Sequence, residues 1–235
     1  MVKKRSGDSK LAASIYREVE ELTVDLVGLG LVDHQNYVSI TDEPNGAWSV
    51  SQSGAKLNLA LKKLPYEKIY LNLIDALSYN LLLLDGAMIQ FSYQGLGENL
   101  IRHRLAYLPS PTLRPYQDDP ELYLLEQAFI EIVGHQVVPV PVRFDYDNRD
   151  GVAKDVVHPV AHVTLGQYQH CRIPATRALS PRAFVQFILD SFYSTPDMDR
   201  VLLREHVTEG DLTITDNERN GVHFGIGNSL PVAKR

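Results

Sequence analysis

Three histidines, a cysteine and an arginine crowd the stretch VVHPVAHVTLGQYQHCRIP: His158, His162, His170, Cys171 and Arg172. Just upstream, VRFDYDN carries Arg143, Asp145 and Asp147. A carboxylate beside an imidazole orients the ring and raises its basicity, which serves a general base or a metal ligand. A guanidinium holds phosphate or carboxylate groups. Together these residue types suit metal-assisted attack on a phosphodiester. Asp145 and Asp147 would hold a divalent ion, His162 would act as base or ligand, and Arg172 would stabilise developing charge. A second candidate surface is basic and aromatic. Arg102, His103, Arg104 and Arg114 flank the turn LPSPTLRP, with Tyr107 and Tyr116 interleaved, a composition that grips a phosphate backbone and stacks bases. Arg143 and His158 complete the binding candidates.

A plainer reading stands beside each of these. A sheet with one face toward solvent also alternates Arg, Asp, His and Thr, and an Arg–Asp or Asp–His pair across strands is an ordinary structural contact. The basic stretch is equally a solvated loop. Several sharper motifs are not spelled. His162-Val163-Thr164 and His206-Val207-Thr208 both read His-x-Thr, as in two-histidine phosphoesterases, but the second is flanked by Glu205 and Glu209 and reads as a helix end. His158 and His162 are four apart, yet Pro159 and the strand pattern forbid the helical spacing of a zinc protease. GVAKD lacks the acidic residue two before Lys154 that one nuclease motif needs. A lone Cys171 in a strand is more often a small buried apolar residue than a nucleophile. GIGNSLP has neither the context nor the lysine of a phosphate loop.

The elements that must position these groups follow from periodicity. Leu11, Ile15, Val19, Leu22 and Leu26 mark an amphipathic helix over 10–28. YVSITDEPNGAWSVS reads as a hairpin around Pro-Asn-Gly. A second helix is expected from Pro65, with Ile69, Leu73, Leu77 and Leu81 as its stripe and Asp85-Gly86 as its end. AMIQFSYQG alternates as a half-buried strand, and HRLAYLPSP reads as another. A third helix is expected from Asp119-Pro120 to Gly134, three strands within 136–147 and 159–173, a fourth helix from Ser180-Pro181 and a fifth from Thr195-Pro196. In the strands, Arg143, Asp145 and Asp147 share one face, as do Val160, His162 and Thr164. Gln90 and Ser92 are expected to join that face. From Thr208 the chain is polar with little periodicity and is expected to be flexible or ordered by a partner. The expectation is an α+β fold: one domain over 1–207 with a mainly antiparallel sheet and about five helices, and a tail over 208–235.

Bulk composition narrows the classes. The chain has 235 residues and a net charge of −6, so nucleic acid would be held by a local patch rather than by a global field. The single cysteine excludes an intrachain disulfide and suits a reducing cytoplasm. The basic start is followed by an amphipathic helix rather than the apolar core of a signal peptide, and no apolar run is long enough to span a bilayer. The sequence names no particular cofactor or metal.

The order DGAMIQFSY, HRLAYLPSP, RFDYDN, HPVAHVTLGQYQHCRIP, LSPRAFVQFILDSFY resembles the bacterial family catalogued as domain of unknown function 2290, over roughly residues 10–195. The resemblance brings no assigned reaction. It implies a prokaryotic protein of the accessory genome, of a kind often encoded beside ATPases and nucleases in anti-phage defence clusters. Two expectations stand: with the resemblance and the lack of a complete catalytic motif, an accessory subunit that touches nucleic acid or a partner ATPase or nuclease; from the residues themselves, a metal-dependent phosphodiesterase built on Asp145, Asp147 and His162.

Overall fold

The computed structural model describes residues 9–52, 64–111, 140–168, 170–193 and 211–226. The expected helices over 119–134 and from Thr195, together with Arg114 and His206, lie outside the described residues. Four helices are described: α1 (Lys10–Gly28), α2 (Tyr66–Asp75), α3 (Pro181–Phe192) and the short α4 (Asp216–Arg219). The strands are β1 (Val32–Gln35), β2 (Val38–Asp42), β3 (Ala47–Gln52), β4 (Leu81–Leu83), β5 (Met88–Leu96), β6 (Asn99–Leu108), β7 (Val142–Asp147), β8 (Ala161–Leu165) and β9 (Ile173–Pro174). They form one open sheet in the order β1-β4-β5-β6-β7-β8-β9, and every strand pair is antiparallel. The β2–β3 hairpin joins through β3, which pairs with the second half of β5 while β4 pairs with its first half. The α+β architecture with a mainly antiparallel sheet is therefore as expected.

Alternation assigns the two faces. Trp48, Val50, Ile89, Phe91, Tyr93, Leu105, Tyr107, Phe144 and Val163 point to one side, where α1 and α3 cover them. α1 contributes Ile15, Val19, Leu22 and Leu26, and α3 contributes Phe184, Val185, Ile188 and Leu189. A fully buried side chain of this size contributes roughly 1.5–3 kcal/mol, so this layer holds the sheet. On the opposite side, α2 sets Ile69, Tyr70 and Leu73 against Met88, Ala106 and Leu108. β5 is thus buried on both faces from Met88 to Tyr93, where the sequence pattern suggested a half-buried strand.

The second helix is shorter than its leucine spacing suggests. It ends at Asp75. Leu77 turns left-handed with φ of 49°, and the N–H groups of Leu77 and Ser78 close back on the carbonyls of Ile74 and Leu73. This is a paired C-terminal cap of the kind that usually has glycine at the left-handed position. Asn36 and Gln52 both donate to the Leu77 carbonyl and hold the turn. Leu81 consequently lies in β4, paired with Ile89. Ladder pairing with β1 and β5 overrode a spacing of four that a short apolar run shows by coincidence.

Inside the stretch read as a tail, residues 211–226 are seated on the sheet. Thr215 and Glu218 form a reciprocal cap at the start of α4. Phe224 pairs in parallel with Ala175, and its ring meets Phe144 at 5.8 Å and Phe187 at 5.9 Å. A segment anchored at a few points carries no periodic signal in sequence.

The β5–β6 turn is where the layers lock. The Gly97 carbonyl accepts from Trp48 Nε1–H at 2.8 Å and from the Ser9 hydroxyl at 2.8 Å, while Glu98 accepts the first N–H groups of α1. Gly95 sits at the bulge beside it. A Cβ there would lie 2.1 Å from Trp48 Cζ2 and 2.6 Å from the Asn99 carbonyl. Gly95→Ala is expected to cost about 2–3 kcal/mol by overpacking. Urea unfolding followed by the fluorescence of the single tryptophan measures this, and an unchanged midpoint would show that the indole moves aside freely.

Candidate functional site

The other sheet face carries the polar residues, and the register decides which of them meet. Ser92, Arg104, Asp145 and His162 are direct cross-strand partners in one row over β5–β8. Gln94, Arg102 and Asp147 form the next row, and Gln90, Ala106, Arg143 and Thr164 the row on the other side. Arg102 and Arg104 of one candidate surface and Arg143, Asp145 and Asp147 of the other therefore share one face. β6 pairs with β7, so the basic strand lies directly against the acidic one. The residues separating them in the chain hide this pairing from sequence.

Asp145 is the centre. Its Oδ1 accepts from Arg104 Nε at 2.8 Å and its Oδ2 from Arg143 Nε at 2.9 Å. His162 Nε2 stands 3.8 Å from the same Oδ2, too far for a hydrogen bond. Burial pushes the Asp145 carboxyl up, but the guanidinium groups of Arg143 and Arg104 pull harder and hold it at about 2. Asp147 is bound from the strand end. Arg149 donates Nε at 2.8 Å and Nη2 at 2.6 Å to its two oxygens, and Arg102 Nε lies 3.7 Å away. Burial raises the Asp147 carboxyl less than these arginines lower it. Arg149, in the turn after β7, was not among the sequence candidates, although its two-residue spacing from Asp147 was the available signal.

His162 is 3 % exposed. Its Nδ1 meets the Pro159 carbonyl at 2.9 Å, so Nδ1 carries the proton and Nε2 presents a lone pair toward the seam. Burial lowers its proton affinity more than Asp145 raises it, and His158 and Arg172 lower it further. The imidazole is neutral at pH 7. His158 lies alongside, ring centroids 5.1 Å apart. It closes a tight turn by pairing with Lys154. Arg172, just before β9, adds its charge against both Arg143 and His162.

The strand alternation corrects the basic–aromatic patch. Arg102 and Arg104 belong to the seam, but His103 and Tyr107 point into the opposite layer and are 2 % and 1 % exposed. His103 stacks on Tyr146 at 5.6 Å, and its Nε2 accepts from the Leu179 N–H at 3.0 Å. Tyr107 stacks on Phe192 at 5.3 Å. Neither is available to a base or a phosphate.

The arrangement favours anion binding over metal binding. Four arginines (Arg102, Arg104, Arg143 and Arg149) surround two carboxylates, and Arg172 adds its charge beside Arg143. Both oxygens of each carboxylate already face guanidinium donors. Among the described residues, no group of three or more His, Cys, Asp or Glu side chains is placed to hold a metal ion. A divalent ion at Asp145 would have to displace Arg104 and Arg143.

Breaking the centre leaves buried cations without a counter-charge, so Asp145→Ala is expected to cost about 3–5 kcal/mol. Asp147→Ala, whose main partner Arg149 is half exposed, is expected to cost less than about 1 kcal/mol because solvent screens that pair. Urea denaturation of the two variants reads the difference, and equal losses would contradict this division. Acid supplies a second measure. Burial depresses His103 to about 4, so the unfolded chain binds more protons than the native one below the ordinary histidine value. The stability owed to neutral His103 is complete above about pH 6.5 and falls by roughly 3 kcal/mol as pH drops to about 4. His162 loses stability in the same direction. Asp85, raised by burial, contributes the opposite slope. Denaturation midpoints between pH 7 and 4 should fall for the native chain and flatten in His103→Gln.

No helix of the described residues is long and apolar enough to cross a membrane. Searches of curated proteins and of solved structures return no match to the chain. The profile of a family described as an uncharacterized conserved protein, DUF2290, matches residues 31–226. The match begins later than the resemblance read from sequence and runs on through the α4 segment to Ile226. With most of its length covered, strands β1 to β9 included, the chain belongs to the DUF2290 family.

Proposed function

We propose that this chain is a non-catalytic binding subunit whose arginine-rich sheet face engages the phosphate backbone of a nucleic acid, within an assembly that includes a partner ATPase or nuclease. One observation carries the binding reading: four arginines converge on two carboxylates whose oxygens are already occupied. The seam therefore has positive charge to offer and little carboxylate chemistry to spare. Arg102 is one-third exposed and Arg149 half exposed, so the rim of the seam reaches solvent. With a net charge of −6, attraction to nucleic acid is local and sensitive to salt. The place in a bacterial anti-phage assembly rests on the family resemblance. The metal-dependent phosphodiesterase reading needs Asp145, Asp147 and His162 as ligands and base, and so needs the arginines to release both carboxylates.

The test is fluorescence anisotropy with labelled single- and double-stranded DNA and RNA at several salt concentrations. The native chain is expected to bind with a steep salt dependence. Arg102→Glu combined with Arg149→Glu should weaken binding at least about tenfold and flatten the salt slope by about two. Unchanged affinity in the double variant, or no binding at low salt, defeats the reading. Saturable uptake of a divalent ion that is lost in Asp145→Asn would favour the phosphodiesterase instead. Affinity purification from the native host tests the partner: an ATPase or nuclease recovered in fixed ratio is expected, and recovery of the chain alone counts against an assembly.

A further inference from the structure

The connection between β8 and β9 carries an aromatic ring that neither the core nor the seam uses. Tyr168 is 73 % exposed. The turn around it is well tied. Gly166 N–H donates to the Pro141 carbonyl at 2.7 Å, and Cys171 N–H donates to the Tyr168 carbonyl at 3.2 Å. Gln167 donates Nε2 to the Leu64 carbonyl at 2.8 Å. Gly166 is left-handed with φ of 62°, and a Cβ there would lie 3.2 Å from Tyr168 Cδ2 and Cε2. The missing side chain lets the ring rest close to the backbone while most of it faces solvent. A ring fixed in advance lowers the entropy cost of whatever stacks on it.

The surroundings distinguish the partners such a ring could take. An aromatic anchor for another protein sits inside a patch that excludes water. Here Gln167 and His170 are exposed and polar, and among the described residues of this connection no other large apolar side chain is exposed. Positive charge lies beside the ring instead. Arg172 follows the turn and adds its charge against Arg143 and His162. From Pro141, which meets Gly166, β7 leads along the seam to Asp147, which Arg102 and Arg149 face. By the rise of a strand that distance is roughly 20 Å, within reach of a short nucleic-acid strand. Aromatic side chains beside a basic track hold bases by stacking. In a duplex the faces of the bases are covered by their neighbours, so an exposed ring rewards unpaired bases.

We infer that Tyr168 is a base-stacking residue and that the ligand of this sheet face is a single-stranded nucleic acid, with an unpaired base on the Tyr168 ring and the phosphates along the arginine seam. This assignment rests on the phosphate-binding reading of the seam and adds the state of the strand that the seam selects.

Anisotropy with a labelled single strand, its duplex and an abasic strand of the same length tests it on the native chain, Tyr168→Ala, Tyr168→Phe and the combined Arg102→Glu, Arg149→Glu variant. The native chain is expected to prefer the single strand to both the duplex and the abasic strand. Tyr168→Ala should weaken single-strand binding by about 5- to 150-fold and leave the salt slope unchanged, because no charge is removed. It should leave abasic and duplex binding as they are. Tyr168→Phe should bind like the native chain, because the ring does the stacking. At so exposed a position neither substitution disturbs the fold, which an unchanged urea midpoint verifies. Single-strand affinity unaltered in Tyr168→Ala, or an equal loss for all three ligands, overturns the stacking role; if the arginine variant still loses binding, the seam reading stands. A native chain that binds no strand at low salt overturns both. Binding that depends on Tyr168 but not on Arg102 and Arg149 supports the stacking role and defeats the seam reading.

Discussion

The carboxylate of Asp145 sets the terms for the rest of the molecule. A charge at 9 % exposure is tolerable only if it is paired and hydrogen-bonded. Here the partners come from the neighbouring strand and from the same strand, Arg104 and Arg143. That requirement ties β6 to β7 in one register. A shift of one residue would turn Arg104 to the apolar face and leave Asp145 without its cross-strand partner. The same shift would carry His103 and Tyr107 out of the aromatic layer. The ion pair and the core thus specify the same alignment from opposite sides of the sheet.

This double constraint explains why the sheet can be buried on one face by apolar side chains and on the other by charged ones. α1 and α3 cover the apolar face, with Arg182 donating its N–H to Glu18 and its guanidinium to Asp25 where the two helices meet. α2 covers only the Met88–Ala106–Leu108 end of the second face. The rows of Arg, Asp and His begin where that apolar cover stops. Ile69, Ala106 and Leu108 line a shallow depression with Arg143 at that boundary.

The site was legible in part. The alternation Arg143-Asp145-Asp147 and the neighbouring His162-Thr164 mark one strand face each, and the short connection between them makes a hairpin the natural pairing. That pairing brings Asp145 or Asp147 near His162, and the register of the folded sheet makes it Asp145. The role of the carboxylates did not follow. Seen alone, Asp145 and Asp147 read as metal ligands. Seen with Arg104, Arg143 and Arg149, they are anions already neutralised, and the arginines become the chemically available groups. No local pattern reveals that a strand ending at Leu108 is the neighbour of one starting at Val142.

The sequence by itself determined the α+β class, the long amphipathic helix, the Pro-Asn-Gly hairpin and the Ser180-capped helix, because each depends on contacts within a few residues. It also determined which side chains share a strand face, because alternation is a property of the extended backbone. Only the tertiary structure decided which faces meet. It ended α2 at Asp75 and sent Leu81 into a strand, since ladder hydrogen bonds outweigh a coincidental leucine spacing. It drew Phe224 into the aromatic cluster, since one well-placed ring can seat a segment with no periodicity. It turned an apparent carboxylate–histidine centre into an arginine-dominated seam, since the balance of buried charge is set by strands distant in the chain.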